Sequence, residues 1–294
     1  MSGEPRPRVV LVDGVPMSAL VASVPEPRAV IVAIHGGATS AAYFDCPGHP
    51  RLSLLRSAVA EGCTTIALDR PGYGASAFYH DDMAEPDARV GFSLGAVDKI
   101  LGESGRGAGV FLFAHSAGCE LGLRMAVDER ATGVLGVALS GTGLRYSPKA
   151  KAVISEATAT SRPAGLRDLL WQPTDLYPPE VLTGGLSAPG APYETGVTAN
   201  WPRRDFPDIA SRVTVPVQFS VAEHERVWES TPEAINAIAA LFTASPRVVV
   251  NEMPDSGHNL SVGRSADVYH RRVLSFLEQC VAARDNDGTK REAG

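Results

Sequence analysis

Lysine and cysteine are scarce in this sequence, and long apolar runs are absent. Lysine occurs only at positions 99, 149, 151 and 290, so the 27 basic residues are nearly all arginine. They are outnumbered by 33 acidic residues, which gives a formal net charge of −6. Nucleic-acid-binding surfaces usually carry a basic stripe that neutralises phosphates. The composition therefore argues against a nucleic acid as partner.

No apolar stretch approaches the roughly 18 residues of a membrane-spanning helix. The first residues, MSGEPRPR, carry charge and proline where a secretory signal would have its apolar run. These two absences predict a cytoplasmic protein with no membrane partner.

The four cysteines are scattered along the chain, at positions 46, 63, 119 and 280. They form neither the close pairs of a zinc site nor the dense framework of a disulfide-rich domain. A glycine-rich phosphate loop is missing as well. We therefore expect reduced thiols, no metal and no organic cofactor.

What the sequence does have is apolar material in short runs that alternate with helical patterns. Hydrophobic residues make up 44% of the 294 positions, which is enough for a sizeable core. The predicted strands are Val9–Leu11, Ser18–Ser23, Ala29–Ile34, Thr64–Leu68, Gly109–Phe113, Val134–Leu139, Val215–Val221 and Arg247–Met253. The predicted helices are Leu52–Glu61, one within Asp81–Gly102, Ala117–Glu129, Pro232–Thr243 and Ala266–Ala283. Such alternation predicts an α/β fold with a mostly parallel central sheet and helices on both faces.

A proline-rich stretch from 143 to 212 interrupts this pattern. We expect a helical or irregular lid inserted into a core made of residues 8–142 and 213–283, followed by a disordered tail over 284–294. A disordered linker between two domains is the alternative. The tyrosines and tryptophans of the stretch oppose a linker, because they need burial.

The strongest chemical signal is the segment Phe113–Gly118. A buried strand leads directly into Ser116, which has small neighbours, and a helix follows. A nucleophile elbow requires this arrangement, because its serine lies in a strained turn. The position two residues before the serine is Ala114 instead of the usual glycine. A plain helix N-cap is the other interpretation of the same segment.

A second signal is His35-Gly36-Gly37-Ala38, directly after a predicted strand. Glycine allows the backbone to approach a ligand closely, so an N–H here can pair with that of Ala117 to hold an oxyanion. Gly37 is the favoured donor and Ala38 the alternative, while His35 is expected to tie the loop together.

Five segments follow one another along the chain: HGGA (35–38), DRPGYGAS (69–76), AHSAG (114–118), AEHERVW (222–228) and SGHN (256–259). In this order they resemble the α/β-hydrolase superfamily, and the resemblance covers residues 8–283. The resemblance implies an α/β-hydrolase fold with Ser116 as nucleophile and His258, after the last strand, as general base. The superfamily's acid follows the strand after the insertion, which selects Glu225 and leaves Glu223 as the alternative. Asp69 is expected to be structural.

The resemblance implies a serine hydrolase acting on an ester, thioester or lactone of a largely apolar small molecule. A CoA or carrier-bound thioester is among the candidates. The expected substrate contacts are Ala38, His115, Trp171 and Tyr146. Of these, His115 is expected to point away from Ser116. The aromatic residues have an alternative role, which is to join the lid to the core. A lyase or acyltransferase that uses the same triad, and a non-catalytic binding protein, are the rival functions.

Overall fold

The computed structural model describes residues 3–156, 163 and 165–292. Residues 157–162 and 164 of the predicted lid and residues 293–294 of the predicted tail lie outside this range. The strands are β1 Arg6–Val12, β2 Val15–Ala22, β3 Val30–Ile34, β4 Thr64–Leu68, β5 Val110–His115, β6 Val134–Ser140, β7 Val217–His224 and β8 Val248–Gly257. The α-helices are α1 Leu54–Ala60, α2 Pro86–Leu101, α3 Gly118–Val127, α4 Pro148–Ser155, α5 Gly165–Trp171, α6 Glu194–Asn200, α7 Phe206–Ala210, α8 Pro232–Ala239 and α9 Ala266–Glu292.

All eight strands form one sheet in the order β1-β2-β4-β3-β5-β6-β7-β8. The first two strands form an antiparallel hairpin, and β2 pairs antiparallel with β4. Every pair from β4 to β8 is parallel. The hairpin turns at Asp13 and Gly14, whose φ angles of 49° and 85° fit the left-handed conformation of a two-residue turn. The predicted mostly parallel sheet is confirmed.

The central strands are buried on both faces because helices cover each side of the sheet. Along β3, Val32 and Ile34 pack into one apolar cluster with residues of α2, α3 and α8. Ile31 and Ala33 point to the opposite face and join a second cluster with residues of α1 and α9. This alternation explains why β3 is a continuous apolar run, as expected of a strand covered on both faces.

The chain between β6 and β7 contains α4, α5, α6 and α7. Its aromatic side chains are anchored on the core: the Trp201 indole N–H donates to Thr142 Oγ1 over 2.8 Å, and the Trp201 ring stacks on Phe206. Short helical turns join the longer elements, at Ala41–Phe44, Pro50–Leu52, Gly74–Ser76, His80–Met83, Thr174–Leu176, Val181–Gly185, Trp201–Asp205 and Leu260–Val262.

One predicted boundary differs from the structure at the end of the chain. The sequence predicts that the last helix ends at Ala283, whereas α9 continues to Glu292. The polar sequence DNDGTKRE has no apolar stripe that would have extended the periodic pattern.

His270, on α9, is a buried histidine with an unusual environment. It is 0% exposed, lies against the rings of Phe113 and Tyr269, and neither ring nitrogen has a hydrogen-bond partner among the described residues. Burial lowers the pKa of His270 to about 3. The ring is therefore neutral in the folded protein, while unfolding returns it to its ordinary pKa of 6.5.

This depressed pKa predicts a loss of stability in acid. The contribution of neutral His270 is complete above pH 6.5 and declines as the pH falls towards 3, because only the unfolded chain then binds the proton. We expect His270→Phe to reduce the pH dependence of the free energy of unfolding by up to about 1.4 kcal/mol per pH unit within this window. Urea unfolding at several pH values measures it.

His80→Gln is the matched control, because half of the His80 side chain is exposed. This variant should keep the pH dependence of the wild type. Equal pH dependence of wild type and His270→Phe would contradict the prediction.

Candidate active site

Three side chains from distant parts of the sequence meet at the carboxyl ends of the parallel strands. Ser116 directly follows β5, Glu225 follows β7, and His258 follows β8. The His258 Nδ1 atom lies 2.9 and 3.0 Å from the two carboxylate oxygens of Glu225, and its Nε2 lies 3.2 Å from Ser116 Oγ. The three groups form one continuous hydrogen-bonded chain.

The direction of the hydrogen bonds in this chain follows from the chemistry of the acid. A carboxylate only accepts, so His258 Nδ1 carries the proton and donates it to Glu225. Nε2 of the neutral ring is then the acceptor for the Ser116 hydroxyl. The ring is 1% exposed, so its geometry is fixed by packing as well as by these bonds.

Glu225 is ionised although it is buried. Burial opposes its charge, but His258 and the N–H groups of Val227 and Trp228 outweigh burial and lower the pKa of Glu225. The two backbone donors lie 2.8 and 3.4 Å from Oε1. Only 5% of the side chain is exposed, which shields the pair with His258 from solvent.

Glu223, the alternative acid in the sequence, lies elsewhere. Its side chain is 52% exposed, and Oε2 accepts the backbone N–H of Asp255 over 2.8 Å. The structure thus brings Glu225 to the histidine and leaves Glu223 on the surface.

The backbone at Ser116 is strained, as the elbow interpretation expects. Its φ is +52°, a left-handed conformation that side chains other than glycine rarely adopt. Gly118 is required sterically, because a Cβ at this position would lie 2.4 Å from the carbonyl oxygen of His35. Ala114 stands where a nucleophile elbow usually has glycine, and Gly122 on α3 makes room for its methyl group. A Cβ on Gly122 would lie only 2.8 Å from the Cβ of Ala114.

Gly37 and Ala117 face each other beside Ser116. A Cβ at Gly37 would lie 3.8 Å from that of Ala117. Within the described part of the chain, neither backbone N–H has an acceptor, so both are free for a ligand. The N–H of Ala38, by contrast, donates to the Tyr73 hydroxyl over 3.0 Å. These contacts favour Gly37 over Ala38 as the upstream donor.

The loop that carries Gly37 is held by His35 and Arg70. His35 Nδ1 donates to the carbonyl of Gly36 over 2.7 Å, and its Nε2 accepts the Arg70 backbone N–H over 3.0 Å. Burial first, and then the charge of Arg70, lower the pKa of His35, so its ring is neutral. Asp69 accepts hydrogen bonds from Ser18 Oγ and the Ala41 N–H, which are contacts of a structural residue.

Comparison with known proteins decides the family. The model of the alpha/beta hydrolase family matches residues 31–271. The chain belongs to the alpha/beta hydrolase family. The superfamily resemblance and the fold predicted from the sequence are therefore confirmed. No curated protein matches the sequence.

Solved structures that resemble this alpha/beta hydrolase include several hydrolases. A soluble variant of monoglyceride lipase from Saccharomyces cerevisiae has a TM-score of 0.68 at 14% identity, with 94% of this chain and 95% of that chain covered. Carboxylesterase CesB from Bacillus subtilis has a TM-score of 0.65 at 16% identity, covering 93% and 92%. The thioesterase domain from the curacin biosynthetic pathway has a TM-score of 0.61 at 17% identity, covering 92% and 99%. At such identities, the likeness concerns the fold.

The predicted substrate contacts of this hydrolase are engaged with other protein groups. His115 is 1% exposed, its ring stacks on Tyr43, and its nitrogens lie 3.0 Å from Ser140 Oγ and 3.3 Å from Asn259 Oδ1. It packs against the catalytic candidate His258, whose ring centre lies 5.1 Å from that of His115.

The two aromatic residues predicted to contact substrate also pack within the protein. Tyr146 stacks on Trp228 at 4.3 Å, and its hydroxyl donates to the Thr198 carbonyl. Trp171 makes an edge contact with Tyr177 at 5.2 Å. The Tyr146–Trp228 contact corresponds to the alternative role, in which the aromatic residues join the insertion to the core. Trp171 fits the same role because it also packs against the apolar cluster that contains residues of α1 and α9.

The insertion also contacts the loop that holds the histidine. The Asn259 backbone N–H donates to the Tyr177 hydroxyl over 3.2 Å, and the Asn259 side-chain amide donates to the Leu170 carbonyl over 2.9 Å. The position of His258 therefore depends on the insertion next to it in space.

Two charged residues of the site were not among those predicted. Arg70 is 2% exposed, donates to the Gly36 carbonyl over 2.9 Å, and forms an ion pair with Glu194 of α6. Burial alone would lower the pKa of Arg70, but Glu194 raises it, so the guanidinium stays charged. Arg70 belongs to the DRPGYG motif, so the sequence places it near the site. Nothing in the pattern of the insertion indicates that Glu194 lies there.

Across the described residues, no group of three or more histidine, cysteine, aspartate or glutamate side chains could hold a metal ion. Within the same part of the chain, no helix is both long enough and apolar enough to cross a membrane.

Proposed function

We propose that this alpha/beta hydrolase cleaves esters or thioesters, lactones included, of small acyl compounds through a Ser116–His258–Glu225 triad. The observation that carries the proposal is the unbroken chain from Glu225 through His258 to Ser116 Oγ, which ends at a strained turn. Such a chain activates a serine, because the histidine accepts its proton while the carboxylate stabilises the resulting imidazolium.

In the first half of the reaction, Ser116 Oγ attacks the carbonyl carbon and His258 Nε2 takes the hydroxyl proton. The N–H groups of Gly37 and Ala117 bind the tetrahedral oxyanion, where loss of one donor typically costs about 10²–10³ in rate. The bond to the leaving alcohol or thiol then breaks, and His258 gives its proton to that group. An acyl-enzyme remains on Ser116.

In the second half, water attacks the acyl-enzyme. His258 takes a proton from this water, the same two N–H groups hold the second oxyanion, and His258 returns the proton to Ser116 Oγ as the free acid leaves. The ionised state of Glu225 stabilises the imidazolium in both halves. The reaction requires no group beyond the protein, the substrate and water.

Residues 143–212 form a lid over the site in this proposal. The support lies in the contacts of Tyr177 and of the Leu170 carbonyl with Asn259, next to His258, and in the position of Glu194 beside Gly37. CoA and carrier-bound thioesters belong to the substrate class, and the lid is the element that would choose among its members.

Labelling with a fluorophosphonate tests the proposal. We expect one adduct by intact-mass spectrometry, located by peptide mapping on Ser116, because only an activated serine reacts rapidly. Hydrolysis of an ester in labelled water should place one solvent oxygen in the released acid. An unlabelled protein would favour the binding-protein alternative, and a product without solvent oxygen would favour an acyltransferase or lyase.

A further inference from the structure

Arg70 and Glu194 form a buried ion pair at the edge of the proposed oxyanion hole. Arg70 is the second residue after β4, and its Nη2 donates both to the Gly36 carbonyl and to Glu194. Arg70 belongs to the core, whereas Glu194 belongs to the insertion between β6 and β7. The pair therefore connects the proposed lid to the loop that holds Gly37.

The guanidinium is not fully satisfied by the protein. Arg70 is 2% exposed, and its Nε has no hydrogen-bond partner among the described residues. Of all the acidic residues that the structure describes, only Glu194 forms an ion pair with Arg70. A guanidinium presents five donors in a planar fork that fits a carboxylate with two bonds, and here one arm of the fork is unused.

Glu194 lies against Gly37, next to the proposed oxyanion hole. Its two carboxylate oxygens lie 3.5 and 3.6 Å from the position of a Cβ on Gly37, which is van der Waals contact. An acyl chain that leads away from Ser116 across Gly37 has to displace this carboxylate. Arg70 would then be buried without its counter-charge, which is strongly destabilising.

We propose that Arg70 is the specificity residue for a carboxylate on the acyl part of the substrate, and that Glu194 occupies its place when substrate is absent. The substrate class is then a half-ester or half-thioester of a short dicarboxylic acid. The far carboxylate binds Arg70, and the near carbonyl lies at Ser116. The lid opens as one carboxylate replaces the other, so the buried charge keeps a partner throughout. This inference rests on the proposed function and names its substrate.

The alternative is a latch, in which the ion pair only holds the insertion on the core. A latch affects every substrate equally, whereas a carboxylate site discriminates by charge. Two pairs of esters separate these readings, because each pair has the same chain length: monoethyl succinate with ethyl butyrate, and monoethyl glutarate with ethyl valerate. Titration of the released acid gives kcat/KM for each ester.

The wild type should prefer the charged ester of each pair. Glu194→Gln should raise the ratio of kcat/KM, charged over neutral, about tenfold further, because the competing charge is removed, and one charged hydrogen bond is worth about that factor. Arg70→Lys should weaken the preference, because an ammonium keeps the charge but cannot form the fork.

Asp205→Asn is the matched control. Asp205 is 17% exposed and connects the insertion to Arg124 of α3 over 3.2 Å, so this variant also removes an ion pair of the insertion but leaves Arg70 alone. Its ratio should equal that of the wild type. Equal ratios in all four proteins, or a wild type that prefers neutral esters, would overturn the proposal and leave the serine hydrolase intact.

A binding measurement does not depend on the chemistry at Ser116. Glutarate should raise the melting temperature of Glu194→Gln more than that of the wild type, and that of Arg70→Lys less than that of the wild type. If the fluorophosphonate fails to label Ser116 while glutarate gives this pattern, the proposed function fails and the carboxylate site stands. If glutarate stabilises none of the proteins, the carboxylate site is refuted.

Discussion

Replacing Ser116 with alanine is expected to lower kcat on a cleaved ester by on the order of 10⁵–10⁶, the loss typical of a triad without its nucleophile. The hydroxyl is the group that forms the acyl-enzyme, and its Oγ is the atom 3.2 Å from His258 Nε2. Alanine keeps the small volume at the turn, so the fold should persist. Initial rates under saturating ester measure the effect.

The control for this variant is its own stability. Urea unfolding followed by circular dichroism should give a midpoint close to that of the wild type, which separates loss of the nucleophile from loss of the fold. A variant that folds and retains more than about a hundredth of the wild-type rate would point to another nucleophile, since residual rates in disabled triads are far lower.

Glu225→Gln is expected to lower kcat by about 10³–10⁴, as replacements of a triad acid by its amide do. The amide has almost the same shape as the carboxylate but can donate a proton to His258 Nδ1. The ring then carries its proton on Nε2, where it can no longer accept the Ser116 proton. The amide also lacks the charge that stabilises the imidazolium.

Glu223→Gln is the matched control, since it makes the same chemical change two positions earlier, in the strand β7. Its carboxylate contacts Asp255 on the surface, so kcat should stay within about twofold of the wild type, as is usual for surface substitutions. A comparable loss in both variants would contradict the assignment of Glu225.

The fold was predictable because the buried strands are short apolar runs with a chemical signal at their ends. β3 ends before His35, β4 before Asp69 and β5 at His115, so the strand ends and the motifs supported each other. The predicted strand before these residues ends at Val221, and its apolar pattern gives no register beyond that point, so the sequence leaves both Glu223 and Glu225 as candidates. The contact with His258 depends on how the chain turns after β7.

The Arg70–Glu194 pair could not be predicted from the sequence, because the position of the insertion has no clear sequence pattern. Helices α4 to α7 are short, with five to eight residues each, and contain too few turns for a clear apolar period. Where such an insertion lies is determined by scattered contacts, such as that of Trp201 with Thr142, and not by local propensity. The partner of a buried arginine is then visible only in three dimensions.

The left-handed turn at Ser116 has a consequence for the evolution of this chain. A non-glycine residue at such a φ costs about 1–3 kcal/mol, and glycine would avoid most of that cost. Selection for stability alone would therefore replace the serine, while selection for catalysis retains it. Position 116 is thus a stability–activity trade-off confined to a single residue, and a homologue that has abandoned catalysis should accumulate glycine there.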